Sequence, residues 1–266
     1  MDKIRKKTAV LFAGIFVVLG MWMILSVHCW AAEKNNDERL PQTVEQDEVT
    51  QQETEESKTL TAEQKISESS WRCKIICGGV LTAHKSIAMP GCSINNPTLT
   101  EADLRNLAVA KQYKVTDVML PFVRNKADLI ILREALREYG CEDIRIFAKI
   151  ENMTGVEHLE ELIPYCDYIV IARGDLGNAM PLSQLPRIQA HIARVCRKHN
   201  KDFMIVTQML DSMIKNPYPT RAEVNDIYHA VTQGASTLML TGETAHGKYP
   251  VEAMKMLVDT AEESIL

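Results

Sequence analysis

Residues 144–152 read IRIFAKIEN, and residues 168–177 read YIVIARGDLG. Each opens as a short apolar run and closes on charged residues beside glycine or asparagine. Runs of this length fit strands buried on both faces, and helical spacing resumes downstream of each. On the first run Phe147, Lys149 and Glu151 alternate onto one face, with Ala148 and Ile150 on the other. On the second, Arg173 and Asp175 share a face with Ile169 and Ile171.

The same texture recurs on both sides, at residues 116–120, 203–207 and 237–241. Between these strands lie amphipathic stretches: Leu129, Leu132, Leu136 and Tyr139, then Leu185, Ile188, Ile192 and Val195. Thr220 and Glu223 form a capping box ahead of Val224, Ile227, Tyr228 and Val231, and Gly234 closes that helix. Thr100 with Asp103 opens an earlier helix, with Leu104, Leu107 and Ala108 as its buried stripe, and a last helix starts near residue 251. Regular alternation of strand and helix implies a parallel sheet covered by helices. The expected fold class is α/β, a partial (β/α)8 TIM-type barrel of about five βα units, where a closed barrel takes eight. Upstream, residues 72–77 and 80–89 flank Gly78-Gly79 and read as a small N-terminal β-hairpin remnant.

The N-terminal quarter has a different composition. Lys3, Arg5, Lys6 and Lys7 precede an uncharged apolar run over residues 8–27, close to the roughly 20 residues that span a bilayer. A signal anchor over residues 1–32 is expected, with the basic flank in the cytoplasm and the barrel domain outside it; a buried core helix is the alternative, and a cytoplasmic barrel follows if the anchor is not used. Residues 33–70 carry eleven acidic and four basic side chains among many Gln, Thr and Ser. That composition predicts a disordered acidic linker, with a solvated helix over 61–68 as the alternative. The folded domain is expected over residues 71–266. A net charge of −5 without a long basic run argues against nucleic acid as a partner. The seven cysteines form no CxxC pair, which disfavours zinc and fits buried free thiols or disulfides.

In parallel α/β folds the chemistry gathers at the C-terminal strand ends. Those ends carry Lys149 and Glu151, then Arg173, Gly174 and Asp175, then Thr207, then Thr241 and Glu243. Two carboxylates suit Mg²⁺ completed by water and substrate phosphate, and a lysine suits a phosphoryl group in transfer. Taken singly, each has a structural reading: Lys149–Glu151 as a salt bridge, residues 173–177 as a tight turn, and Thr207 as an ordinary strand threonine.

The motifs AKIENMTGVEHL, IVIARGDLG, TQMLDSMIKNPYPTRAE and LMLTGETAHGKYPVEA run in order through residues 148–252, and the whole resembles the pyruvate kinase family. CGGVLTAHKSIAMPG, PTLTEADL and PFVRNKADL extend the resemblance to about residues 77–263, from the exit of that family's lid domain into its barrel. It implies phosphoryl transfer from phosphoenolpyruvate to ADP with Mg²⁺ (or Mn²⁺). Lys149 would contact the phosphoryl group, and Glu151 and Asp175 would hold the divalent metal. The backbone of Ala172, Arg173 and Gly174 would line the phosphoenolpyruvate or pyruvate site, and Thr207 would face the bound pyruvate carbon. The family's RxNxSHG-like run, which supplies a phosphate-contacting arginine and most K⁺ ligands, does not occur here. Pro121 replaces a small hydroxyl residue and Ala179 a usual glutamate. With the first three βα elements and the regulatory domain expected to be missing, and the lid reduced to the hairpin, the K⁺ site is expected to be lost and turnover weak or absent. A non-catalytic, membrane-tethered binding domain on the same scaffold is the alternative. Open sheet edges predict a homo-oligomer or pairing with another barrel-derived chain.

Overall fold

The computed structural model describes residues 16–18, 59–67, 70–77 and 96–265. They fall into two units, residues 24–87 in one and residues 1–23 with 88–266 in the other.

The smaller unit holds an antiparallel pair, β2 (Thr59–Ser67) and β3 (Ser70–Cys77). This corrects two expectations. Residues 59–67 form a strand rather than disordered linker or solvated helix, so ordered structure begins ahead of residue 71. The two strands pair with Ser67 opposite Ser70, not about Gly78-Gly79. The second arm expected of the hairpin, residues 80–89, lies outside the described residues. Glu63, Gln64, Lys65 and Ile66 are all exposed, and Arg72 donates across the pair to Gln64 at 3.1 Å. A solvated strand stabilised by backbone pairing leaves no apolar alternation to read.

In the larger unit, strand and helix alternate. β1 (Phe16–Val18) comes first, followed by α1 (Glu101–Ala110), β4 (Asp117–Leu120), α2 (Lys126–Glu138) and β5 (Arg145–Ile150). Next come α3 (Met153–Glu157), α4 (Leu159–Leu162), β6 (Tyr168–Ala172), α5 (Arg173–Asn178), α6 (Leu185–Lys198) and β7 (Asp202–Val206). α7 (Arg221–Thr232), β8 (Thr237–Met239), α8 (Gly242–Ala245) and α9 (Pro250–Glu263) complete it. The sheet runs β1-β4-β5-β6-β7-β8, parallel throughout, with β1 and β8 as its edges among the described residues. The five predicted βα units are all present, and the sheet is an open part of a barrel.

Both faces of the sheet are buried. Ile146, Ala148, Ile150, Ile169, Ile171, Phe203 and Ile205 pack in one core with helix residues including Leu132, Leu136, Ile192 and Ile227. Met119, Phe147, Val170, Met204 and Val206 form a second cluster, each at most 3% exposed. Ile169, Ile171, Phe203 and Ile205 therefore belong to the helix-packed side of the sheet. At the N-terminal ends of the strands, Arg145 reaches the fully buried Asp117 and lies 5.8 Å above the Phe147 ring, which stacks on Tyr168.

The helices start where their caps require. Thr100 and Thr220 each close a capping box, with Asp103 and Glu223. Asp103 is itself buried on α1 with Leu107 and Ala110, so the stripe avoids Ala108, which is exposed. On α7 the buried positions are Ile227 and Ala230, and Tyr228 points outward. Gly234 at φ +95° lets the chain leave α7, a conformation glycine adopts without steric cost.

The apolar run over residues 8–27 is described only at Phe16–Val18, where it forms β1. Its residues pair with Asp117, Val118 and Met119 of β4. Among the described residues no helix is long and apolar enough to cross a membrane.

Candidate functional site

The ends of β4 and β5 are tied together by short contacts. Val123 N–H donates to the Lys149 carbonyl, and the Asn152 amide donates to the Val123 carbonyl. A Cβ on Gly155 would come within 2.5 Å of that same carbonyl, so only glycine fits there. Asn152 caps α3 by accepting from Gly155 N–H at 2.7 Å. Glu151, between β5 and this cap, is 2% exposed.

Glu151 has two unlike oxygens. Oε2 accepts from the Phe122 N–H at 2.8 Å, and that residue sits in the left-handed region at φ +51°. Oε1 has the Lys149 ammonium at 2.6 Å and no aligned hydrogen-bond donor besides. Burial pushes the Glu151 carboxyl above its ordinary range, Lys149 pulls it down, and Asp175 pushes it up further. The Asp175 contribution places the two carboxylates in one electrostatic neighbourhood. Asp175 is exposed, in the first turn of α5.

The second cluster joins the ends of β6 and β7. Ala172 closes β6 opposite Val206, and α5 starts at the next residue. Gly174 N–H donates to the Thr207 hydroxyl at 2.8 Å, and that hydroxyl donates to the Val206 carbonyl at 2.5 Å. Thr207 and Gln208 are both left-handed, at φ +73° and +53°. The Arg173 side chain points away from the rim and donates to the carbonyls of Thr207 and Gln208 and to Asp226 of α7.

The predicted residues are thus brought to one rim in two groups: Lys149 with Glu151, and Ala172, Arg173 and Gly174 with Thr207. Asp175 follows Gly174 in the chain and acts by charge on Glu151 of the other group. Lys149–Glu151 is the salt bridge its spacing allowed, and it also leaves one buried carboxylate oxygen short of donors. Among the described residues no group of three or more His, Cys, Asp or Glu gathers to hold a metal. Glu151 and Asp175 are instead a pair, and Mg²⁺ accepts one or two protein carboxylates with waters and substrate oxygens. The donor-poor Oε1 and the mutual carboxylate repulsion both fit a divalent cation.

Sequence reasoning missed several buried supports. Glu243 is 1% exposed and accepts from the backbone of Leu210 and Thr241, which makes it a brace rather than part of the rim. Asp128 is gripped by Arg124 at 3.1 and 2.7 Å and by Thr98 at 2.6 Å. The spacing of Arg124 and Asp128 by four residues was the readable signal for that pair. Asp226 carried none.

A family model described as pyruvate kinase, barrel domain, matches residues 43–254. The chain is similar to the pyruvate kinase of Clostridium acetobutylicum, 39% identical over 192 residues, which is 72% of this chain and 41% of that protein. Similarity to the Borreliella burgdorferi pyruvate kinase is 40% over 191 residues, again 72% of this chain and 40% of the relative. For the Kluyveromyces lactis pyruvate kinase it is 38% over 196 residues, 74% and 39%. The chain therefore spans about two fifths of the length of these curated relatives.

Proposed function

Because this chain belongs to the pyruvate kinase family, we propose that its strand-end cluster is a divalent-cation-dependent site for phosphoenolpyruvate or pyruvate, with weak or no turnover to ADP. Glu151 and Asp175 would hold Mg²⁺ or Mn²⁺. Bound there, the cation supplies charge neutralisation at a phosphate oxygen. Lys149, 2.6 Å from Glu151 and 19% exposed, has a compact ammonium that swings from the carboxylate to an incoming phosphoryl group. The backbone at Ala172, Arg173 and Gly174, with Thr207, would frame the three-carbon end. A K⁺ site is not part of this reading, because the run that would supply it is absent from the sequence.

The observation that carries the proposal is Glu151: a carboxylate 2% exposed, beside a lysine, with one oxygen lacking an aligned donor. Buried charge of this kind is retained where a ligand completes it. Titration calorimetry with Mn²⁺, with and without phosphoenolpyruvate, is the test. The protein should bind the metal at least tenfold more tightly with phosphoenolpyruvate present, and Glu151→Gln and Asp175→Asn should each abolish that gain. Equal affinity with and without phosphoenolpyruvate in the unmutated protein would overturn the proposal.

A second reading, a non-catalytic membrane-tethered binding domain, is favoured by the uncharged run over residues 8–27 behind four basic residues. It places the barrel outside the cytoplasm, paired with a second copy or another barrel-derived chain. Protease added to intact cells would then release the folded part, and cleavage that requires lysis would exclude it.

A further inference from the structure

The chain after β7 makes an unfavourable turn. Thr207 and Gln208 are consecutive L-residues in the left-handed region, and a β-branched residue rarely adopts that conformation. Such a turn persists only when its surroundings over-determine it. Three charged side chains from three elements grip this segment. Glu243 of α8 accepts from Leu210 N–H at 3.0 Å, and Glu223 of α7 accepts from Ser212 N–H at 2.7 Å and its hydroxyl at 2.6 Å. The third is Arg173, the only one of them that touches the left-handed residues themselves.

Its guanidinium, 9% exposed, uses Nε and Nη2 on the Thr207 carbonyl at 3.2 and 2.7 Å. Nη2 also reaches the Gln208 carbonyl at 3.0 Å and the Met209 sulfur at 3.0 Å. The remaining arm, Nη1, lies 2.5 Å from Asp226 Oδ2. Asp226 makes the planar fork commit to one orientation, and the fork then fixes two successive carbonyls. Turning those carbonyls sets φ and ψ at Thr207, and with them the direction of its hydroxyl toward Gly174.

We propose that Arg173 and Asp226 are a positioning pair: they hold Thr207 in its left-handed conformation and thereby fix the Gly174–Thr207 contact at the rim. Neither residue touches ligand through its side chain. The consequence for ligand binding rests on the phosphoenolpyruvate reading above; the brace itself does not.

Amide hydrogen exchange on the metal-free protein tests the brace directly. Asp226→Asn keeps the shape but removes the charge partner, and Arg173→Lys removes the fork. In both, Gly174 N–H should exchange at least tenfold faster, while the Leu132 amide in the middle of α2 keeps its rate. A general loss of stability would speed both amides together, and an unchanged Gly174 rate in a folded Asp226→Asn protein would overturn the proposal. The calorimetry is then repeated on Asp226→Asn. Affinity for Mn²⁺ alone should stay within twofold, and the gain from phosphoenolpyruvate should fall at least fivefold. If the unmutated protein shows no such gain, the ligand reading fails and the exchange result still decides the brace.

Discussion

Burial raises the Glu151 pKa, Lys149 opposes the rise, and Asp175 adds to it, so without metal folding works against the charged form of this carboxyl. Its favourable contribution is complete below the unfolded pKa and is lost as pH climbs through the raised folded one. Asp128 and Glu223 run the other way. Burial alone would raise them, but Arg124 and Thr98 in one case, and Ser212 and Thr220 in the other, hold both below the ordinary range. Their contributions are lost as pH falls. The unmutated protein mixes both trends, so the Glu151 part is read as a difference. Metal-free Glu151→Gln should melt higher than the unmutated protein at neutral pH, with the gap closing as pH drops into the carboxylate range. A gap that widens on acidification would contradict the assignment. Lys149 and Glu151 were legible because strand alternation puts both on one face. Arg173 was legible only as a backbone position, since nothing in ARGDLG tells that its side chain turns toward the next strand. Asp226 is one charged residue among several on a solvated helix, and only the fold sets it opposite Arg173.

The helix and strand pattern survived almost unchanged between residues 96 and 265, because the strands are short buried apolar runs and several helices, α1, α2 and α7 among them, join an apolar period to a side-chain cap. α7 is an example: Glu223 closes the capping box with Thr220 and also accepts from Ser212. Thr220→Ala should therefore cost about 1 kcal/mol, the usual cost of losing a cap. Glu223→Ala should cost more, about 2–3 kcal/mol, because two further donors lose their acceptor; urea unfolding of the two variants measures the difference. On the sheet, Arg145 and Asp117 pair across β5 and β4 at 2.5 Å. Arg145→Met leaves the fully buried Asp117, among the described residues, with only the Thr116 hydroxyl. The expected loss is about 2–3 kcal/mol, below the usual range for breaking a fully buried pair because Arg145 is 39% exposed. Where the pattern failed, at β2, the strand is solvated and its polar side chains match those of a linker.

At the scale of the whole molecule, the sheet ends at β1 and β8 among the described residues, and β8 is half-buried where β4 and β6 are closed in. On α9, Pro250, Val251, Met254 and Val258 line an apolar groove, with Val251 75% exposed. Self-association through this side is expected, and Val251→Glu should lower the sedimentation coefficient at micromolar concentration if it occurs there. The other edge raises a question of timing. Phe16 pairs with Asp117, 101 positions downstream. At about 5–20 residues per second, synthesis leaves the first strand without its partner for about 5–20 s. During that interval an uncharged run behind a basic tip is open to whatever binds nascent apolar segments. A strand and a bilayer helix over the same residues exclude each other, so for residues 16–18 pairing with β4 and insertion into a bilayer are mutually exclusive outcomes.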